Sequence, residues 1–382
     1  MRNGPLKRVF EGAAPGFAFV ATLSFRIDAF IVPAASPHMP TFNNASTEEE
    51  LREVLSRPYA EDIELAERLR GDVIVLGAGG KMGPTLVQRL MRALREAKNS
   101  LNVYAVSRYS DEESRREIEA TGAEVVGADI MIGRELQSLP DCPNVIYLVG
   151  MKFGASGRQA KTWAVNTYLP GRVAERFPDA RIVALSTGNV YPLVPVDSKG
   201  SVERDEPGPL GEYAQSCLGR ERVLQHFSLQ NGTAVCLIRL NYAVEARYGV
   251  LLDIATRVFR GEPVSIEMGF VNIIWQGDAN SYTLRALEQC KSPAEVLNVT
   301  GPDVISVRAL AQQFGERFGR PPRFSGAEAE TALLSDASKC HALFGPPRVA
   351  LDDVVELVAG WIERGAPTHE KPTKFGVRDG QF

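Results

Sequence analysis

Asp72-Val-Ile-Val-Leu76, followed at once by Gly77-Ala-Gly-Gly-Lys-Met-Gly83 and Pro84, is the stretch on which the reading of this chain turns. The aliphatic run is short and rich in β-branched residues, so it reads as a buried strand. Behind Pro84 the apolar residues from Leu86 to Leu94 recur with helical spacing, and a proline suits the first turn of a helix. The glycines between them have separate tasks. Gly77 permits the tight turn, Gly80 lets backbone approach a pyrophosphate, and Gly83 allows helix and strand to pack closely. The helix N-terminus adds unpaired N–H groups that favour an anion. In this strand-turn-helix setting the triad points to nucleotide binding rather than to a structural turn alone, with Gly77, Gly80, Lys81, Met82 and Gly83 as candidate contacts.

The same alternation continues downstream. Strands are expected at 102–106, 123–126, 144–149, 181–185 and 234–240, with helices at 111–121, 162–177 and 213–228 between them. Strands alternating with helices imply a parallel sheet covered on both faces, a doubly wound α/β fold of Rossmann type over 72–240. After residue 240 the pattern shifts to longer helical segments, short strands and Gly/Pro punctuation, which predicts a smaller substrate lobe over 241–365 closed by a helix at 352–363. The chain can cross between the two lobes. Upstream, Thr47-Glu-Glu-Glu50 has the capping-box spacing, and a charged helical pattern broken at Pro58 runs to about Arg70, so 46–71 reads as a leading helical segment.

The two ends carry weaker signals. Residues 1–45 are expected to be a disordered extension, and 366–382 a polar, extended tail. Lys7 and Arg8, an apolar stretch and the pair Ala34-Ala35 mimic a secretory signal, but Arg26 and Asp28 interrupt the apolar stretch. The competing reading starts translation at Met39 and gives the preceding residues no structural role.

Composition narrows the class. Among 382 residues, 43 Lys+Arg oppose 47 Asp+Glu for a net charge of −4, which argues against nucleic-acid binding. No apolar run reaches the roughly 18 residues a membrane span needs. Five widely spaced cysteines and four scattered histidines, none in C-x-x-C or i, i+4 pairs, disfavour a disulfide framework and a metal site, and fit a reducing cytoplasm.

The end of the second strand bears on the cofactor. An acidic residue there would bond both ribose hydroxyls of NAD, but this chain has Ser107-Arg108-Tyr109. A hydroxyl and a guanidinium would instead bind a 2′-phosphate, so NADP is favoured and NAD remains open. Arg108 also has a plain reading as a solvated surface charge, and Ser107 lies 30 residues beyond Gly77, farther than the usual twenty or so.

Over 72–365 the chain resembles the extended short-chain dehydrogenase/reductases, the NAD(P)-dependent nucleotide-sugar epimerases, dehydratases and reductases. Gly77-x-x-Gly80-x-x-Gly83 is similar to the cofactor turn of that family, and Gly127-Ala-Asp129-Ile130 to its adenine-contacting pair. Val145-Ile-Tyr-Leu-Val-Gly-Met-Lys152 resembles the fourth strand and the loop passing the nicotinamide ribose, which implies cofactor contacts at Val149, Gly150 and Lys152. In UDP-galactose epimerases a lysine at the place of Lys152 reaches the cofactor. Asn166 matches a helix asparagine that the resemblance assigns to the cofactor site. Leu185-Ser-Thr-Gly-Asn-Val-Tyr191 resembles the strand-end Ser/Thr motif, with Thr187 in the catalytic hydroxyl position, and Asn298-Val-Thr-Gly301 a strand of the substrate lobe.

The departure falls in the Tyr-x-x-x-Lys helix, which here reads Tyr213-Ala-Gln-Ser-Cys217, with Glu221 keeping the register. The resemblance implies that the missing lysine would bind the nicotinamide ribose and lower the tyrosine pKa. A free phenol is less than about 1% ionised at pH 7, so without that cation Tyr213 is a poor base that can still donate a hydrogen bond. Cys217 is a small buried thiol, a sign that another cation such as Lys152 has taken over, or itself a nucleophile.

Other positions divide in the same way. Asn189 and Asn241 are candidate substrate contacts, Asn241 having the alternative of capping a turn. Trp275 and Asp278 have lobe packing as their plain role, and the basic residues of 89–98 read as a wet helix face. The resemblance implies hydride transfer at a carbinol carbon of a sugar, sugar acid or nucleotide-sugar, by an oxidoreductase or epimerase. Thr187, Tyr213 and Lys152 would be the catalytic set, and the chain could form a homodimer through the Tyr-motif helix. The rival of another class is a catalytically weak NAD(P)-binding regulatory or scaffold protein, which loss of the lysine favours.

Overall fold

The structure, a computed structural model, describes residue 42 and residues 45–381, apart from 111, 153–156 and 372. The expectation for 1–45 therefore lies outside the described residues except at Phe42 and Ala45. Phe42 packs edge-on against Trp275 with ring centroids 4.7 Å apart, and Ala45 is buried.

Seven parallel strands form the central sheet: β1 (Val73–Leu76), β2 (Val103–Ser107), β3 (Glu124–Gly127), β4 (Asn144–Tyr147), β5 (Arg181–Thr187), β6 (Ala234–Leu240) and β7 (Glu295–Val299). Their order across the sheet is β7-β6-β5-β4-β1-β2-β3. β1 lies inside the sheet between β4 and β2, buried on both sides as its aliphatic run requires. Its alternate residues enter opposite layers: Val73 and Val75 join Leu86, Leu90 and Leu94, whereas Ile74 and Leu76 join Leu136, Leu169 and Leu224.

The first layer is built by α1 (Glu48–Ser56), α2 (Ala60–Arg68) and α3 (Gly83–Glu96). Thr47 caps α1 through its side chain, with Glu50 reaching back to the Thr47 N–H, as the capping-box spacing predicts. Behind the turn, α4 (Glu112–Glu119) and α5 (Gly133–Gln137) follow β2 and β3. The opposite layer carries α6 (Gln159–Trp163), a π-helical turn at Ala164–Tyr168, α7 (Leu169–Arg176) and the long α8 (Gly211–Asn231). The second lobe holds α9 (Val250–Arg260), α10 (Gln276–Arg285), α11 (Val307–Arg317), α12 (Ser338–Phe344) and α13 (Leu351–Glu363), with Phe314 and Trp361 fully buried.

Two expectations need correction. The strand bearing Asn298 is not part of the separate lobe: it is β7, paired with Cys236–Leu240 at the edge of the main sheet. After the lobe begins, α10 returns to lie beside α3, and Leu297 and Val299 bury themselves in the layer containing Leu86 and Leu90. Nor is 89–98 wholly a wet face. Arg89 is 0% exposed, pairs with Asp62 at 2.6 Å and lies 4.4 Å from the Tyr59 ring centroid, because the leading helices cover that side of α3. Asp278 and Trp275 are also interior, Asp278 accepting from Tyr59 Oη at 2.8 Å.

The described residues of 366–381 form neither helix nor strand, but they are tied to both halves of the molecule. His369 N–H donates to Arg247 O, Thr373 N–H to Asp253 at 2.7 Å, and Arg378 to Thr331 Oγ1 at 2.7 Å. At the far end Gly380 lies so close to Leu210 and Gly211 that a Cβ there would fall 2.2 Å from Leu210 O. The tail therefore reaches the start of α8.

Candidate functional site

Both halves of the site lie at the C-terminal ends of the parallel strands. Gly77 adopts φ +91°, and a Cβ at this position would sit 3.0 Å from Val149 Cγ2. At Gly83 it would fall 2.0 Å from Ala78 O, so α3 can approach the strand only with glycine there. A groove of about 600 Å³ runs from this turn past Ser107, Arg108, Asp129, Ile130, Val149 and Gly150. Where it meets the end of β2, its lining is Ser107, Arg108, Tyr109 and Ser110. The narrow glycine cradle and the α3 N-terminus fit a dinucleotide pyrophosphate.

Gly77, Gly80 and Gly150 also line a second cleft of about 370 Å³, which brings together Lys152, Thr187, Asn189, Tyr213 and Asn241 from four separate segments. Lys81 and Met82 belong to this cleft as well. The Lys81 ammonium lies 3.0 Å from the Tyr248 ring centroid, facing the second lobe.

Thr187 ends β5, and its Oγ1 accepts from Asn189 Nδ2 at 2.9 Å. Tyr213, in the first turn of α8, shares side-chain hydrogen bonds with Thr187 and Cys217. Burial pushes its phenol well above the ordinary value of 10.0, the Cys217 side chain adds to that rise, and the Arg220 charge opposes it. Cys217 is buried against Val190, Tyr191 and Tyr213, and burial raises its thiol too. Lys152 lies with its ammonium 5.8 Å from the Tyr213 ring centroid; burial lowers its pKa to about 8, partly offset by Cys217 and Asp253.

Arg220 is the residue that reading the sequence missed. It falls on the same helix face as Tyr213 and Cys217, lines the cleft, and is buried. Its guanidinium donates to Leu185 O and to both oxygens of Asn166. The available signal was the helical spacing Tyr213-x-x-x-Cys217-x-x-Arg220, which puts the Arg220 charge seven residues after Tyr213 and three after Cys217, on their face. Asn166 itself lies in the π-helical turn, where its amide bonds Met151 N–H at 2.8 Å, Met151 O at 3.0 Å and Ser216 Oγ at 2.9 Å. It braces the loop at 150–152 from behind and lines neither cavity. Asn241 Nδ2 is within 3.4 Å of Leu333 O, so it both lines the cleft and ties the lobes.

A buried network fixes α8 against the sheet. Glu221 pairs with Arg239 at 2.7 Å and accepts from Ser186 Oγ at 2.5 Å, while Arg239 donates to Tyr191 Oη at 2.6 Å. Tyr191 donates in turn to Asn298 Oδ1 at 2.8 Å, giving Asn298 a structural place behind the site. The second lobe and the tail contribute Tyr248 and Thr373 to the cleft, two residues no motif identified.

Residues 73–257 match the model of the NAD dependent epimerase/dehydratase family. No curated protein matches the chain. Among solved structures, it is similar to the UDP-glucuronic acid 4-epimerase of Bacillus cereus in complex with UDP-glucuronic acid and NAD, with TM-score 0.64 and 18% identity over 77% of this chain and 99% of that one. The UDP-glucose 4-epimerase of Thermotoga maritima with UDP-glucose gives TM-score 0.64 and 20% identity over the same shares. That of Thermus thermophilus with NAD gives 0.62 and 19% over 75% and 97%. At these identities the likeness establishes the fold. Among the described residues no helix is long and apolar enough to cross a membrane, and no group of three or more His, Cys, Asp or Glu could hold a metal ion.

Proposed function

We propose that this chain is an NAD(P)-dependent oxidoreductase or epimerase acting at a carbinol carbon of a sugar, sugar acid or nucleotide-sugar. The carrying observation is that Tyr213 and Thr187, hydrogen-bonded to each other, face a cleft that opens directly off the glycine-turn groove. Gly77, Gly80 and Gly83 would hold the pyrophosphate, Asp129 and Ile130 the adenine end, and Val149 and Gly150 the nicotinamide side. Bound there, the dinucleotide supplies a carbon that accepts or returns a hydride.

The chain's own residues handle the proton and the charge. Tyr213 exchanges the hydroxyl proton of the substrate, and Thr187 holds the oxygen on which negative charge grows. Asn189 keeps Thr187 oriented and, with Asn241, borders the space for substrate. Lys152 and Arg220 supply the positive field that the missing lysine would give, one from the loop after β4 and one from α8. Ser107 and Arg108 favour NADP over NAD, because a guanidinium and a hydroxyl suit a 2′-phosphate. The five free thiols suit a reducing cytoplasm.

A second reading has one observation in its favour: Tyr213 is pushed upward by burial beside a neutral thiol instead of a lysine. In that reading the chain binds the dinucleotide with little turnover and uses its occupancy to control a partner. Fluorescence titration with NADPH and NADH, followed by a screen of sugars for turnover, separates them. Tight NADPH binding, weaker NADH binding and turnover on a sugar are expected. Binding of neither dinucleotide would sink both readings, and binding without turnover on any sugar would leave the second.

A further inference from the structure

Residues 373–380 run from one wall of the cleft to another. Thr373 lines the cleft, and its N–H and hydroxyl both donate to Asp253 of α9, the helix whose Val250 also lines it. At the other end Gly380 meets Leu210 and Gly211, just ahead of the cleft residue Tyr213 in the first turn of α8.

This strap is held unevenly along its length. Its base is fixed to the second lobe: Phe375 is buried in the apolar cluster that contains Val250, Leu251 and Trp361. Arg378 donates to Thr331 O at 2.6 Å, to Thr331 Oγ1 at 2.7 Å and to Glu267 O at 3.2 Å. The tip is held by shape. Among the described residues Gly380 makes no hydrogen bond to Leu210 or Gly211; backbone rests on backbone. A Cβ on Gly380 would fall 2.2 Å from Leu210 O and 2.7 Å from Gly211 N, and one on Gly211 would fall 2.3 Å from Gly380 O. Both residues adopt positive φ, +75° and +78°, so the crossing demands glycine on each side.

The start of α8 needs outside support. Leu210, the residue before the helix, makes no side-chain cap bond and is exposed, and the unpaired N–H groups of a first turn are where a helix frays. Another tie of this turn, Glu212 accepting from Trp163 Nε1 at 2.5 Å, is exposed to solvent. Tyr213 belongs to the same turn, so the place of its hydroxyl beside Thr187 depends on what holds the turn.

We propose that residues 373–380 are a positioning strap: based on the second lobe and seated by Gly380 on Gly211, it fixes the first turn of α8 and holds the Tyr213 hydroxyl beside Thr187 in the cleft. The proposal deepens the functional reading above and rests on it only for the proton exchange assigned to Tyr213.

Two variants of the full chain test it. Gly380→Val puts a side chain where the crossing has no room, and a chain ending at Asp379 removes the tip without adding bulk; both keep Thr373, Phe375 and Arg378. Gln381→Ala, an exposed neighbour, is the control. In hydrogen exchange read by mass spectrometry, the amides of 211–217 are expected to exchange about 10-fold or more faster in both variants, with β1 and α3 as protected as in the wild type and the control unchanged. Ultraviolet difference titration gives the readout that a loosened helix alone would not move. Burial holds the Tyr213 phenol well above 10.0, so release of the turn should add one tyrosine that ionises near 10.0, and Tyr213→Phe in the same variant should remove it. Unchanged exchange in both variants would overturn the proposal. So would a change confined to Gly380→Val, since the valine would then be pushing on a helix that the native contact does not hold. Faster exchange without the added ionisation would overturn it as well, because the strap would staple the helix without placing the phenol. Titration of the wild type with NADPH and NADH keeps the functional reading separate: binding of neither would sink that reading, while exchange and ionisation still decide the strap.

Discussion

The Arg220 guanidinium donates to both oxygens of Asn166, the backbone carbonyl at 3.2 Å and the side-chain carbonyl at 3.1 Å. Through Asn166, which holds both polar groups of Met151, one cation on α8 is tied to the loop that carries Lys152. The same charge pulls the Tyr213 phenol down against the effect of burial. Arg220→Met should therefore move the base limb of the kcat/KM profile to higher pH and lower turnover about 10-fold or more. Arg220→Lys should restore the limb in part, since the charge returns without the fork geometry. A pH profile unchanged in Arg220→Met would show that the guanidinium only braces the loop.

Cys217 lies one turn beyond Tyr213, 1% exposed, in a space bounded by Val190, Tyr191 and Tyr213. Putting a lysine into that space adds bulk to a packed wall and a third cation beside Lys152 and Arg220. Overpacking of this kind costs about 1–3 kcal/mol. Cys217→Lys is expected to lower both melting temperature and turnover, while Cys217→Ala keeps turnover within about threefold because a neutral small side chain is retained. A rise in hydride transfer in Cys217→Lys would mean that the native site is a decayed version of the lysine-containing one.

The buried pair Arg89–Asp62 is a stability test away from the chemistry. Both side chains are 0% exposed, and Asp62 also accepts from Ser281 Oγ at 2.6 Å and Tyr59 N–H at 2.9 Å. Arg89→Ala leaves a carboxylate in the interior without its cation and should cost about 3–5 kcal/mol in denaturant unfolding. Replacing both partners, Arg89→Met with Asp62→Leu, should cost less than the single change. A loss under about 1 kcal/mol in Arg89→Ala would show that Asp62 is satisfied by its hydroxyl and amide donors alone.

What the sequence made legible was local. The β1–turn–α3 unit follows from a β-branched run, three glycines and a proline, and the α1 cap from Thr47 and Glu50. Thr187, Tyr213 and Lys152 could be named because each lies in its own short motif, and the structure gathers them in one cleft. What was hidden depends on partners far along the chain. Arg89 and Arg220 look like surface charges until Asp62 and the carbonyls of Leu185 and Asn166 are placed beside them. The strand at Asn298 could not be assigned to the main sheet because its pairing with β6 follows a whole lobe of intervening chain. The tail is polar throughout, and only Asp253, Thr331 and Leu210 reveal what holds it.

An exposed aromatic face offers a test of association. Trp163 and Tyr168 are 37% and 60% exposed, and with Val223 and Phe227 of α8 they line a groove on the α6–α8 side of the sheet. If a second copy covers this face, Tyr168→Glu should convert the protein to monomer in sedimentation velocity. A wild-type protein that sediments as monomer across the micromolar range would end the dimer hypothesis.

Lys81 gives a pH dependence whose sign is fixed by linkage. Its pKa falls from 10.5 to about 7, chiefly through burial, with Lys371 and Lys152 pushing the same way and Asp253 and Glu245 opposing. Between those two values the unfolded chain binds more protons at this group than the folded one, so its contribution makes stability rise with pH across that window. The cost of holding the ammonium is present in full below about pH 7 and gone above about 10.5. Lys81 is half-buried and retains its contact with the Tyr248 ring, so the usable effect is discounted to roughly 1–2 kcal/mol. Lys81→Met should thus raise the melting temperature most at pH 6, in a buffer without phosphate or carboxylate, and the gain should shrink toward pH 10. A gain of equal size at both pH values would show that the substitution acts through packing against Tyr248, and a loss at pH 6 that the ammonium is already balanced by Asp253 and Glu245.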